Sequence, residues 1–387
     1  MFENLIPVSD ALLAQAQLFH SNCLGNTIRI HAAASGLPDL EGIDVVLIGI
    51  YENRGNPVLA HEPIDFTPIR KAFYQLFVGN WHTSIADLGD LPAGNTLEDT
   101  YFALREITTA LVKSNTIPIY IGGSHDLTYP IYRAFDDLDQ MVNVVTVDNC
   151  FDLGDSSRPL TNRNFVGKII TDQPYNLFNY SNLGYQGYYN AQEEIDLMDK
   201  LYFEAHRLGD IIADIKTVEP VVRDADIVSV DLNGLAAAGM GFMYPQNING
   251  LEPRETCSLA RYAGISDRVK IFGIFEYIQN QQFESAASLI AQMIWYFIEG
   301  VNFRVSESIH KDDKHILYYA VPVEDEVLHF YKSTRSQRWW IEIPSDLISN
   351  NKLKRHTLLP CTYKDYLDAC NQDIPNRWFK AKQKNQF

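Results

Sequence analysis

The chain has 387 residues, of which 46% are hydrophobic, 12% aromatic and 21% charged, a balance that excludes disordered and fibrous classes. Its 32 basic and 49 acidic residues leave a net charge of -17, which repels polyphosphate and argues against nucleic acid or an anionic membrane as partner. The densest apolar run, Ser288 to Ile298, is interrupted by Gln292 and falls short of the roughly 18 apolar residues a membrane span needs.

At roughly 100–200 residues per domain, this length allows one large domain with an appendage or two to three small ones. The first residues, Met1 to Pro7, lack a basic stretch followed by an apolar one, so the expected location is cytoplasmic. Cys23, Cys150, Cys257, Cys361 and Cys370 are odd in number and lack CxxC spacing, which argues for reduced, mostly buried thiols rather than a disulfide framework.

The first forty residues read as helix then loop. Ile43 to Ile50 is a β-branched run ending near a glycine, the pattern of a buried parallel strand. Ser84 to Gly89 is a strand running into a polar loop, and Leu97 to Ser114 carries Leu104, Ile107 and Leu111 on one helical stripe. Further strands follow at Thr116–Gly123, Val142–Asp148, Ala225–Asp231 and Val269–Glu276. Strands alternating with helices predict a doubly wound α/β sheet. Past Gly300 the texture changes: His315–Val323, Glu326–Lys332 and Arg338–Ile343 read as an antiparallel meander with a turn at Ser333–Gln337. The expected organisation is residues 1–300 as one α/β domain and 301–387 as a C-terminal extension. From Asn351 onward, eight basic residues face three acidic ones, a tail suited to docking on its own acidic body or on a neighbouring subunit.

In open α/β sheets, ligands bind beyond the carboxyl ends of the strands. Four of these ends carry unusual polar residues: Gly122-Gly123-Ser124-His125, Asp148-Asn149-Cys150-Phe151-Asp152, Asp231-Leu232-Asn233 and Glu276. Alternate side chains of an emerging strand lie on one side, so Asp148 and Asp152 can converge with His125 and Asp231 on one ion. One imidazole and three carboxylates suit manganese, magnesium or iron rather than a zinc-thiolate centre. Taken singly these motifs are weak, since an Asp after a strand is commonly a helix N-cap. Trp339-Trp340 and the Tyr180–Tyr189 stretch read as packing.

Together and in this order, the motifs resemble the ureohydrolase family of arginase, agmatinase and formimidoylglutamase, with the formimidoylglutamase branch nearest. Val45-Val-Leu-Ile-Gly49, Pro68 to Tyr74, Ile85 to Asp90 and Gly250 to Glu255 extend the likeness from about Val45 to Gly300. The resemblance implies an arginase-like three-layer fold with a mostly parallel central sheet, two manganese ions bridged by hydroxide, and assembly as trimers or hexamers. It also implies a small guanidino or formimino substrate.

The departures from the family pattern bear on function. Gly-Gly-Asp-His-Ser becomes Gly122-Gly123-Ser124-His125-Asp126, with acid and hydroxyl transposed about the histidine. Asp-x-His-x-Asp has Cys150 at its centre, and Asp-x-Asp ends in Asn233. By resemblance, His125, Asp148, Asp152 and Asp231 form the ligand set of one ion, whereas the second would need the positions of Cys150 and Asn233. Glu276 matches the acid that faces the guanidinium-type group, and Asp126 and Glu276 are the candidate catalytic acids. The family's Asn-x-His-Gly segment looks like Asn164-Phe165-Val166-Gly167, in which valine cannot shuttle a proton. Cys150 reads as a small space-filling side chain, with a soft metal ligand or a nucleophile as alternatives. The related mononuclear zinc deacetylases use the counterpart of the altered site and fit less well. Two readings follow: a protein of formimidoylglutamase descent with weak or no activity, holding at most one divalent ion and serving in binding or scaffolding; or a working hydrolase of formimidoylglutamate, agmatine or arginine at a mononuclear or cysteine-assisted centre.

Overall fold

The computed structural model describes residues 2–138, 140–237, 248–278, 285–307, 309, 313–344 and 357–385. The described strands of the main sheet are β1 (Arg29–Ile30), β2 (Val45–Ile50), β3 (Ile85–Leu91), β4 (Ile117–Gly122), β5 (Val142–Val147), β6 (Leu177–Tyr185), β7 (Glu204–Arg207), β8 (Ile227–Asp231) and β9 (Ile271–Phe275). They form a nine-stranded sheet in the order β1-β3-β2-β4-β9-β8-β5-β6-β7, and every pairing is parallel.

Both faces of this sheet are buried, as a parallel sheet requires. The two-residue period of each strand divides its apolar side chains between two cores. Val45 and Leu47 of β2, Ile119 and Ile121 of β4, and Val228 and Val230 of β8 pack on one side. Val46, Ile48 and Ile50 of β2, Tyr120 of β4 and Ile227 of β8 pack on the other. Helices cover the two faces. The helix Leu97–Lys113 starts at a capping box in which Thr96 and Asp99 satisfy each other's backbone amides. The helix Ser285–Asn302 contains the densest apolar run and buries it against Pro253–Ile265; no helix of the described residues is long and apolar enough to cross a membrane.

The helix Thr67–Tyr74 is tied to β3 by buried charge. Arg70, on the helix Thr67–Tyr74, is buried and places Nε 2.8 Å from Asp87 and Nη1 2.8 Å from Asp90. Tyr74 donates to the same Asp87 carboxylate.

The residues after Gly300 build a second sheet, β10 (Ile316–Val323), β11 (Glu326–Ser333), β12 (Trp339–Glu342) and β13 (Leu358–Cys361), antiparallel throughout. Three of its strands match the expected meander; β13 adds a fourth. It has a small core of its own around Val323, Phe330, Ile341 and Trp378. Trp340 lies under the guanidinium of Arg223, 4.6 Å from ring centroid to carbon, while Arg223 donates to the Trp339 and Cys361 carbonyls. The basic tail docks on the chain itself: Arg377 pairs with Glu204 at 2.7 Å, Lys380 with Asp199 at 3.3 Å, and Lys382 with Glu326. All five cysteines are free; Cys23, Cys257 and Cys361 are buried and Cys370 is exposed.

Candidate metal centre

The strand order explains the site. β4, β9, β8 and β5 are neighbours in the middle of the sheet, so the residues that follow them leave at adjacent points of one edge. His125 follows β4, Glu276 follows β9, Asp231 ends β8, and Asp148 and Asp152 follow β5. Residues far apart in sequence thus meet without any long loop.

His125 Nδ1 lies 3.3 Å from Asp148 Oδ2 and 3.4 Å from both Asp152 Oδ2 and Asp231 Oδ2. One donor atom from each residue lies within 4.8 Å of all the others, a grouping that would hold a metal ion. All four are buried, with exposures of 0%, 1%, 3% and 1% for His125, Asp148, Asp152 and Asp231. The outer atoms of the set are engaged elsewhere, which orients the inner ones. His125 Nε2 faces the Ser229 hydroxyl at 2.9 Å, Asp148 Oδ1 accepts from the Cys150 amide at 2.9 Å, and Asp231 Oδ1 accepts from the Asn233 amide at 2.6 Å. The imidazole is wedged edge-on against Phe165 and beside Phe275.

The residues fit a divalent cation. His125 Nδ1, Asp148 Oδ2 and Asp152 Oδ2 are buried and make no hydrogen bond, although each aims at the others. Buried polar atoms without partners are costly and are commonly explained by an ion. Burial and the charges of Asp231 and Asp152 push the Asp148 carboxyl well up. Burial alone would lower the His125 imidazole, but the three carboxylates outweigh it and raise it well above its ordinary range. Burial acts against ionisation of Asp152 too, yet His125 and Arg163 hold its carboxyl below the usual range.

Cys150 lies outside this group among the described residues. Its Sγ donates to the Tyr189 carbonyl at 3.9 Å, and burial together with Asp148 and Asp152 pushes the thiol up, which disfavours a thiolate. Asn233 is buried, and its carbonyl accepts from Asn149 at 3.0 Å.

Glu276 sits at the edge of the cluster in a left-handed backbone conformation, φ +62. Both of its oxygens are engaged: Oε1 accepts from the His125 amide at 2.9 Å and from Asn162 Nδ2 at 3.1 Å, and Oε2 accepts from Asn56 Nδ2 at 2.6 Å. Burial, then the Asp231 charge, pushes its carboxyl up to about 8. Asp126 is turned elsewhere. Its carboxylate accepts from Ser124 and Tyr101 beneath the Gly55 backbone, where an added Cβ would come within 2.0 Å of Asp126 Oδ1. Asn164 precedes the helix Phe165–Thr171, its side chain held by Thr161, Asp155 and Pro159, and Val166 is buried in the core.

Sequence reasoning missed Asn56, Asn162, Arg163 and Ser229. Only Ser229 left a signal, standing two residues before Asp231 and therefore on the same side of β8. Arg163 Nη1 reaches Asp152 Oδ1 at 3.4 Å from a side chain that is half exposed.

With this geometry in view, the chain belongs to the arginase family, whose family model matches residues 67–299. It is similar in structure to a formiminoglutamase of Trypanosoma cruzi solved with Mn2+, with a TM-score of 0.61 and 18% identity over 69% of this chain and 96% of that one. A formimidoylglutamase of Bacillus subtilis gives 0.61 and 18% over 70% and 91%, and an agmatine ureohydrolase of Thermoplasma volcanium 0.56 and 18% over 74% and 96%. At such identity these likenesses establish the fold. A search of curated proteins by sequence finds no significant match.

Proposed function

We propose that this arginase-family chain holds at most one divalent ion, manganese by family analogy, and is a weak or inactive ureohydrolase of formimidoylglutamase descent. The observation that carries this reading is the four-residue ligand group, the one such group among the described residues, from which Cys150 stands apart. His125, Asp148, Asp152 and Asp231 would hold the ion, which supplies Lewis acidity for polarising water or an amidine-type substrate. Three carboxylates with one divalent ion leave a single negative charge, too little to balance a second.

The chain's own residues argue against turnover. Glu276, the acid placed to receive a guanidinium-type group, spends both oxygens on Asn56, Asn162 and the His125 amide. A substrate must displace these donors to be positioned. Asp126, held by Tyr101 and Ser124, is not poised to accept a proton at the cluster. Division into residues 1–300 and 301–387, homo-oligomerisation and a cytoplasmic location belong to the same proposal.

Elemental analysis of protein purified without chelator tests the ligand count, and two bound ions per chain would refute it. Release of urea or formamide from formimidoylglutamate, agmatine or arginine with added Mn2+ would instead support the alternative of a working hydrolase of a small guanidino or formimino compound.

A further inference from the structure

At the opposite edge of the main sheet, where β5, β6 and β7 begin, lies a cavity of about 560 Å³. Its walls are largely apolar and include Ile169, Ile170, Leu177, Phe178 and Phe203. The charged residues lining it are Lys200 and Lys384, with no acid among the described lining residues, in a chain whose net charge is -17. A lining whose charges are both positive favours an anion.

Lys384, at the end of the helix Asn376–Lys384, extends its amine between two aromatic walls of the cavity, 5.7 Å from the Phe178 ring centre and 5.4 Å from that of Phe203. The amine donates to Asn179 Oδ1, which uses one of its three hydrogens. Burial pulls it down to about 7 despite the opposing pull of Glu204, so the amine is fully a cation only below that value, and a carboxylate beside it would favour the charged form. Glu204 is already paired with Arg377.

We infer that this cavity is a binding site for a small apolar monocarboxylate, whose hydrocarbon part lies along Ile170, Leu177 and Phe178 and whose carboxylate pairs with Lys384. Ligand pockets combine an apolar lining with few polar groups that fix orientation, and here the Lys384 amine, held between two rings, serves that purpose. An apolar cation would find two like charges, and a neutral ligand would leave the amine uncompensated.

Isothermal titration of the full chain at pH 6, where the Lys384 amine is protonated and octanoate ionised, with octanoate, octan-1-ol and octylamine tests the assignment. Octanoate is expected to bind at least about tenfold more tightly than octan-1-ol, the value of a charge-assisted hydrogen bond in an enclosed site, and octylamine not at all. Lys384→Met should bring octanoate down to the affinity of the alcohol. Ile170→Trp, which narrows the cavity, should weaken binding of both while circular dichroism stays unchanged. Equal binding of octanoate and octylamine, or octanoate binding undiminished by Ile170→Trp in a folded protein, would overturn the site.

Discussion

His125 Nδ1 and the three carboxylate oxygens around it form a group that is expensive without a cation and stable with one. Asp231→Ala removes one carboxylate and is expected to weaken Mn2+ binding by at least about a hundredfold, beyond the range known for loss of an outer-shell partner; equilibrium dialysis with elemental analysis reads this directly. In the unaltered chain, free Mn2+ at about a hundred times its Kd should stabilise the fold by about 2.7 kcal/mol, seen as a rise in Tm that chelator reverses. Arg163 works in the opposite sense. Its guanidinium touches Asp152 and carries the same sign of charge as the ion. Arg163→Gln is therefore expected to tighten Mn2+ binding, by only about two- to fivefold because the side chain is half exposed and screened. No change, or weaker binding, would show that Arg163 supports the site instead of competing with it.

At the scale of elements, the ligand-bearing strands were legible because a buried parallel strand writes a continuous apolar run, and β4, β5, β8 and β9 each do so before a polar residue. β6 was read only as an aromatic stretch. Its Asn179, Ser181 and Asn182 are buried polar residues that break the apolar pattern marking a strand: Asn179 donates to Ser181 and Glu204, and Asn182 to Thr146 and the Cys150 carbonyl. β7 has four residues and two charges, too little for periodicity to register. Asn56 and Asn162 were invisible for a different reason: they stand in loops, and only the tertiary fold brings them to Glu276. Arg70 shows the same effect in a structural role. Its two buried partners lie on β3, and Arg70→Met leaves Asp87 and Asp90 uncompensated, which is expected to cost about 3–5 kcal/mol. Urea denaturation measures this, and a loss under about 1 kcal/mol would mean that water replaces the guanidinium.

At the scale of the whole molecule, the second sheet and the terminal helix are tied to the main sheet by buried charge. Lys384 gives this junction a pH dependence. Its amine titrates near 7 in the fold and near 10.5 in the unfolded chain, so between those values the unfolded state binds more protons. Its burial is a burden below pH 7 that is relieved as pH rises toward 10. The groups facing it are Glu204, Arg377, Lys380 and Asp224, and Glu204 is held ionised well below its ordinary range: burial opposes this, and Arg377 with His206 outweighs it. The stability difference between the unaltered chain and Lys384→Met, measured by denaturation at pH 6.5 and pH 9, should shift in favour of the unaltered chain at the higher value. A difference independent of pH would place the amine in solvent.

The Arg377–Glu204 pair has a consequence in time. The two residues are 173 positions apart, so a ribosome making about 5–20 residues per second delivers the arginine roughly ten to thirty seconds after the glutamate. Throughout that interval β7 is the outermost strand of a nascent sheet, and its Glu204 has only Asn179 and His206 beside it. The guanidinium that closes this edge of the sheet is therefore among the last parts of the chain to be made.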